Sequence, residues 1–309
     1  MEPLLIVGVP RSGTTWTGRV LGHTEGVAYV NEPDGFRDPF AFGVMVARGE
    51  NPILAAGDAA ADCERLWSGA FGGGRPAGSV RDRVAHFLYE RTSLDARRAA
   101  RASGRPGLRS AVAARLSCPR VAEPDADRVV VKSVQSILAL EWIVDRFRPR
   151  VLVVERNPLN VLASWIELGY VRNLREQAAL ARYAHQQWGI DAPAESAPHL
   201  VRQTFTYAVL ATALRAARAH HPEWLTTTHE WLCVDPKARF QELAASAALV
   251  WGSAAEVFLS ESDRAGTPYR TQRVTADQPD RWRNRLDPEQ LDTIRATLAP
   301  FPALAVPES

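Results

Sequence analysis

Leu4-Leu5-Ile6-Val7-Gly8-Val9-Pro10-Arg11-Ser12-Gly13-Thr14-Thr15-Trp16 reads as an apolar strand, a loop gated by two glycines, and the start of a helix. That arrangement builds an anion cradle. Glycine permits a tight turn with inward-facing backbone N–H groups, and the N-terminus of the following helix adds partial positive charge. The spacing approaches the phosphate-loop pattern G-x-x-x-x-G-K-[ST], but Thr14 stands where lysine is required and Arg11 lies inside the loop. A kinase or ATPase needs that lysine, with magnesium, to neutralise a β/γ-phosphate chain. Arg11, Ser12, Gly13, Thr14 and Thr15 suit a smaller, less charged terminal group.

Further apolar, β-branched runs at Val27–Val30, Val129–Val131, Val151–Val154 and Leu225–Thr228 are followed in several cases by helical patterns. Alternation of this kind predicts an α/β fold in three layers, a P-loop-like central, mainly parallel sheet flanked by helices. A helix is expected over Thr14–Leu21, stopped by Gly22, and another from Pro158, capped by Asn157 and closed by Gly169. The stretch at about 35–128 reads as a helical or irregular cap insertion within one domain spanning 1–309. It contains a helical run over Val80–Arg101. An irregular piece over Tyr170–Leu200 precedes a long helix over Arg202–His220.

In an open parallel sheet ligands collect at the carboxyl ends of the strands. That rule selects Arg11, Glu32, Lys132 and Arg156. Pro33 holds Glu32 extended at its strand exit, where the carboxylate can act as general base toward an acceptor hydroxyl. Lys132 can donate to charge building on a departing phosphate. Ser164 lies two turns into the helix after Arg156, so both can reach one ligand group. Trp16 can stack on an adenine or serve as a core residue, and the spacing leaves both open.

Pro10-Arg11-Ser12-Gly13-Thr14-Thr15-Trp16 resembles the first loop of sulfotransferases that use 3'-phosphoadenosine 5'-phosphosulfate (PAPS). Arg156-Asn157-Pro158 through Ser164 looks like the unit that grips the 3'-phosphate of PAPS, with Asn157 in place of the usual aspartate. Asn31-Glu32-Pro33 resembles the Glu-Pro element of the carbohydrate and bacterial branch, and Lys132 the family's Lys-(Ser or Thr) lysine. Val134 occupies the place of the histidine that serves as base in the phenol and steroid branch. The resemblance implies Glu32, Lys132 and Arg11 as catalytic residues. It implies nucleotide contacts from Arg11, Ser12, Gly13, Thr14, Thr15, Trp16, Arg156 and Ser164. Trp282-Arg283 matches a Trp-basic pair near the C-terminus, and with the usual Arg-Lys-Gly absent, Arg270 or Arg273 stands in for the 3'-phosphate contact. PAPS is the implied co-substrate, with no metal, and the implied acceptor is a small molecule, carbohydrate or natural product.

With 309 residues, 46% hydrophobic and 23% charged, the chain can bury a large core, and a net charge of +2 is too mild to imply nucleic-acid binding. Three well-separated cysteines, Cys63, Cys118 and Cys233, suggest neither a disulfide framework nor a metal site. No apolar run approaches the roughly 20 residues that span a bilayer, so a cytoplasmic protein without membrane attachment is expected.

Overall fold

A computed structural model of the chain describes residues 2–72, 79–119, 126–170, 172–263, 278–301 and Leu304. The expected apolar runs form β1 (Leu4–Val7), β2 (Val27–Asn31), β3 (Arg128–Ser133), β4 (Arg150–Glu155) and β5 (Leu225–Thr228). They hydrogen-bond in the order β2-β3-β1-β4-β5, and every neighbouring pair is parallel. β1 lies at the centre, where Leu5, Ile6 and Val7 are wholly buried. A strand covered on both faces tolerates no polar alternation, which is why it reads as a continuous apolar run.

Successive side chains of each strand point to opposite faces and so feed two cores. Leu5, Val7, Val131, Val151 and Val153 join one cluster with α7 (Leu140–Phe147), α8 (Pro158–Glu167) and α10 (His199–His220). Leu4, Ile6, Val130, Leu152 and Val154 join the other with α1 (Thr14–Gly22), α12 (Pro236–Ser246) and α13 (Ser253–Ser262). The result is the three-layer α/β architecture. Between β2 and β3 the chain forms α2 (Pro39–Arg48), α3 (Ala61–Ala70), α4 (Val80–Glu90), α5 (Leu94–Ser103) and α6 (Leu108–Leu116). The remaining helices are α9 (Leu174–Trp188), α11 (His229–Val234) and α14 (Pro288–Leu298). No described helix is long and apolar enough to cross a membrane.

Three local expectations change. The run over Val80–Arg101 is two helices, because Ser93 adopts an extended backbone and its side chain accepts from the Ala96 N–H to start α5. Tyr170–Leu200 is not irregular throughout: Asn173 caps α9 through the Glu176 N–H, and Gly189, at φ 66°, ends it. Gly22 does not stop α1 by a left-handed turn. It lets Tyr29 lie against the helix, where an added Cβ would come within 2.8 Å of the ring.

Candidate nucleotide and transfer site

The four residues chosen by the strand-end rule stand at the exits of four consecutive strands, β2, β3, β1 and β4. Three strand spacings separate the outer two, about 14 Å. The loop after β1 is held from below by Trp165 of α8, whose buried indole N–H donates to the Pro10 carbonyl at 2.9 Å. Within the loop the Ser12 N–H bonds to the Val9 carbonyl at 3.0 Å. Gly13 enters α1 at φ 99°, and a Cβ there would sit 2.3 Å from His229 Cδ2. Only glycine meets both conditions.

Arg11 Nε donates to Ser164 Oγ at 3.0 Å, and Arg156 Nη1 donates to the Arg11 carbonyl at 3.1 Å. The loop after β1 and the unit after β4 therefore share one surface. Asn157 caps α8 by accepting from the Leu159 N–H, and the Glu230 carboxylate accepts from Asn157 N–H and Asn160 Nδ2. Burial holds the Arg156 guanidinium down at about 10 against the raising effect of Glu230, with Arg11 and Arg285 adding repulsion. It remains charged at neutral pH. Arg11 is lowered in the same direction, first by burial and then by Arg285, while Glu167 opposes the shift.

On the other side of the loop, Lys132 is 1% exposed and its ammonium lies 2.5 Å from Glu32 Oε1, so the carboxylate pairs with Lys132 rather than with Arg11. The Glu32 N–H also bonds to the Lys132 carbonyl at 2.7 Å. Arg11 at φ 76° and Glu32 at φ 48° both occupy the left-handed region, a strained setting for side-chain-bearing residues, so Glu32 is not held extended before Pro33 as expected but enters a turn closed by the Gly35 N–H on its carbonyl at 2.9 Å. Asp34 lies just beyond, buried, and accepts from Ser133 Oγ at 2.5 Å. Burial pushes its carboxyl up to about 7, the serine bond opposes that shift, and the Glu32 charge reinforces it.

Ser12 and Thr14 are buried, Gly13 and Thr15 half-buried. Trp16 is 7% exposed: its indole donates to Ser262 Oγ at 2.9 Å and packs edge-on against Phe240, so the ring belongs to the core. His229 is buried beside it and held well below its usual range by burial and then by Arg156, which leaves a neutral ring packed against Gly13. Arg270 and Arg273 lie outside the described residues. Trp282 and Arg283 fall in a short 3-10 helix, Arg281–Asn284. Arg285 directly after it was not anticipated. It meets Glu167 through both guanidinium nitrogens, at 3.0 and 3.3 Å, and its charge reaches Arg11 and Arg156. No periodicity or motif spacing marks it. Glu155, at the end of β4, is ion-paired with Arg215 and Arg218 at 3.4 and 3.3 Å.

Among the described residues Ser12 Oγ and Arg156 Nε are buried without a hydrogen-bond partner. Buried polar atoms are rarely left unmatched, and two further guanidiniums, Arg11 and Arg285, repel Arg156. This donor set fits a small, multiply charged anion.

No family model and no curated protein matches the chain. Several solved structures are similar in shape. A sulfotransferase domain from the curacin biosynthetic pathway is 14% identical, covering 96% of this chain and 97% of that one at a TM-score of 0.48. A sulfotransferase domain from the Synechococcus PCC 7002 olefin synthase is 15% identical, covering 96% and 93% at 0.45. A sulfotransferase from Alicyclobacillus acidocaldarius is 14% identical, covering 100% and 97% at 0.40.

Proposed function

We propose that the chain is a sulfotransferase that moves the sulfuryl group of PAPS to a hydroxyl, or less readily an amine, of a small-molecule or carbohydrate acceptor. The observation that carries this reading is the Arg11–Ser164 hydrogen bond, which joins two separately recognisable anion-binding elements at one sheet edge. Ser12, Gly13, Thr14, Thr15 and Arg11 would hold the sulfuryl end of the donor. Arg156 and Ser164 would hold its 3'-phosphate, and Arg285 adds charge to that side. The donor supplies an activated sulfuryl group on a phosphate leaving group.

The chain's own contribution centres on the Glu32–Lys132 pair. Glu32 takes the proton of the acceptor hydroxyl at a carboxylate oxygen. Its neutralisation loosens the hold on the Lys132 ammonium, whose charge is then directed at the leaving oxygen. The strained backbone at Arg11 and Glu32 aims both side chains before any ligand arrives. Incubation with isotopically labelled PAPS and an acceptor panel, read by product mass, tests the activity. Glu32→Ala is expected to abolish transfer while nucleotide binding is retained, and unchanged product formation by that variant removes Glu32 from the mechanism.

A further inference from the structure

A cavity lies between α9 and α10, walled in part by the segment that joins them. It holds about 270 Å³, just below the usual ~300–1,000 Å³ of small-molecule sites. Leu174, Ala178, Ala181, Ala192, Pro193 and Phe205 give it an apolar wall, open to solvent on the side of Leu174, Ala178 and Ala192, which are exposed. A neck of only about 10 Å³ shares Gln177, Arg202 and Thr206 with it and is lined further by Trp165, Tyr170 and Arg172. Trp165, in the neck, also donates to the Pro10 carbonyl of the loop after β1.

Two cations stand at the neck, and only one is committed. Arg172 is buried and ion-paired with Glu50, which is also bound by Arg101 at 3.2 Å. Arg202 pairs with no carboxylate among the described residues. Its Nη1 reaches Gln177 Oε1 only at 3.5 Å, and its buried Nε has no described partner. Glu195, also on the cavity wall, is exposed and forms no ion pair with it. A half-buried guanidinium with an open donor at the end of an apolar chamber is matched by a carboxylate on an apolar body.

We propose that this cavity binds an apolar small molecule carrying a carboxylate, with the anion on Arg202 and the apolar body along α9. The lining shares no residue with the Arg11, Glu32, Lys132 and Arg156 set, so occupancy of this site does not depend on the sulfuryl-transfer reading. Calorimetric titration of the whole chain with octanoate, 1-octanol and octylammonium tests the binding site without any turnover. Octanoate is expected to bind at least tenfold more tightly than octanol, and octylammonium more weakly than both. Arg202→Gln should erase the preference for octanoate and Arg202→Lys should keep part of it. Ala181→Trp, which fills the chamber, should weaken octanoate and octanol alike, with thermal melts verifying that each variant folds. Equal binding of octanoate and octanol, or an undiminished preference in Arg202→Gln, overturns the proposal. Octanoate binding as described in a protein that fails to bind 3'-phosphoadenosine 5'-phosphate upholds the cavity and counts against the transferase reading, so the two failures are distinct.

Discussion

Gly13 combines a left-handed backbone with contact to the His229 ring, so its replacement tests how tightly the cradle is built. Gly13→Ala pays about 1–2 kcal/mol for the backbone alone and must also displace His229. A lowered melting temperature together with lost nucleotide affinity is expected, and an unchanged melt would contradict the packing described. Asp34 makes a different prediction, one of pH. Its folded carboxyl titrates near 7, well above the ordinary carboxylate value of about 4, so between those two pH values the folded state keeps a proton that the unfolded chain has released. Stability therefore falls as pH rises through that window and is insensitive to this group on either side of it. Asp34→Asn preserves an acceptor for Ser133 and removes the titration. Denaturant melts should show the variant gaining on the wild type between about pH 4 and about pH 7, whereas a constant difference would mean that the buried carboxyl does not titrate there.

At the scale of elements, α8 both carries Ser164 and ties down the loop after β1. Trp165→Phe keeps the ring contact with Tyr170 but leaves the buried Pro10 carbonyl without its 2.9 Å bond, a loss of about 1–3 kcal/mol. Stability and nucleotide affinity should fall together in that variant, and a loss of stability alone would show that α8 does not position the loop. The strands, α1, α8 and the capping role of Asn157 were legible in the sequence, because apolar runs and cap residues are local signals. α9 was not. Its buried side is mainly alanine and leucine among charged residues, and its limits are set by one asparagine cap and one left-handed glycine. The split between α4 and α5 was hidden by arginine- and alanine-rich sequence on both sides of the Ser93 cap. Trp16 carried no local sign of its surroundings, since Phe240 and Ser262 lie more than two hundred residues away.

For the whole molecule, topology does what no single segment can. β1 sits between β3 and β4, and this brings the Glu32–Lys132 pair to one flank of the loop and Arg156 with Ser164 to the other. The strand-end rule located Glu32, Lys132, Arg11 and Arg156 from sequence because it needs only where parallel strands end, whereas the order that sets them side by side comes from the fold. Arg285 arrives from the far end of the chain by tertiary packing on Glu167, so no local pattern announces it. The gathered guanidiniums make long-range attraction part of binding, and affinity for the nucleotide should weaken as salt is raised. The most direct test is calorimetric titration with 3'-phosphoadenosine 5'-phosphate, comparing wild type with Arg11→Ala and Arg156→Ala. One site per chain is expected, weakened in each variant by about 1.5–3 kcal/mol, roughly 10- to 150-fold. Tighter binding of ATP-magnesium than of that nucleotide, or arginine variants that bind it as well as the wild type, would contradict a shared cradle for both of its charged ends.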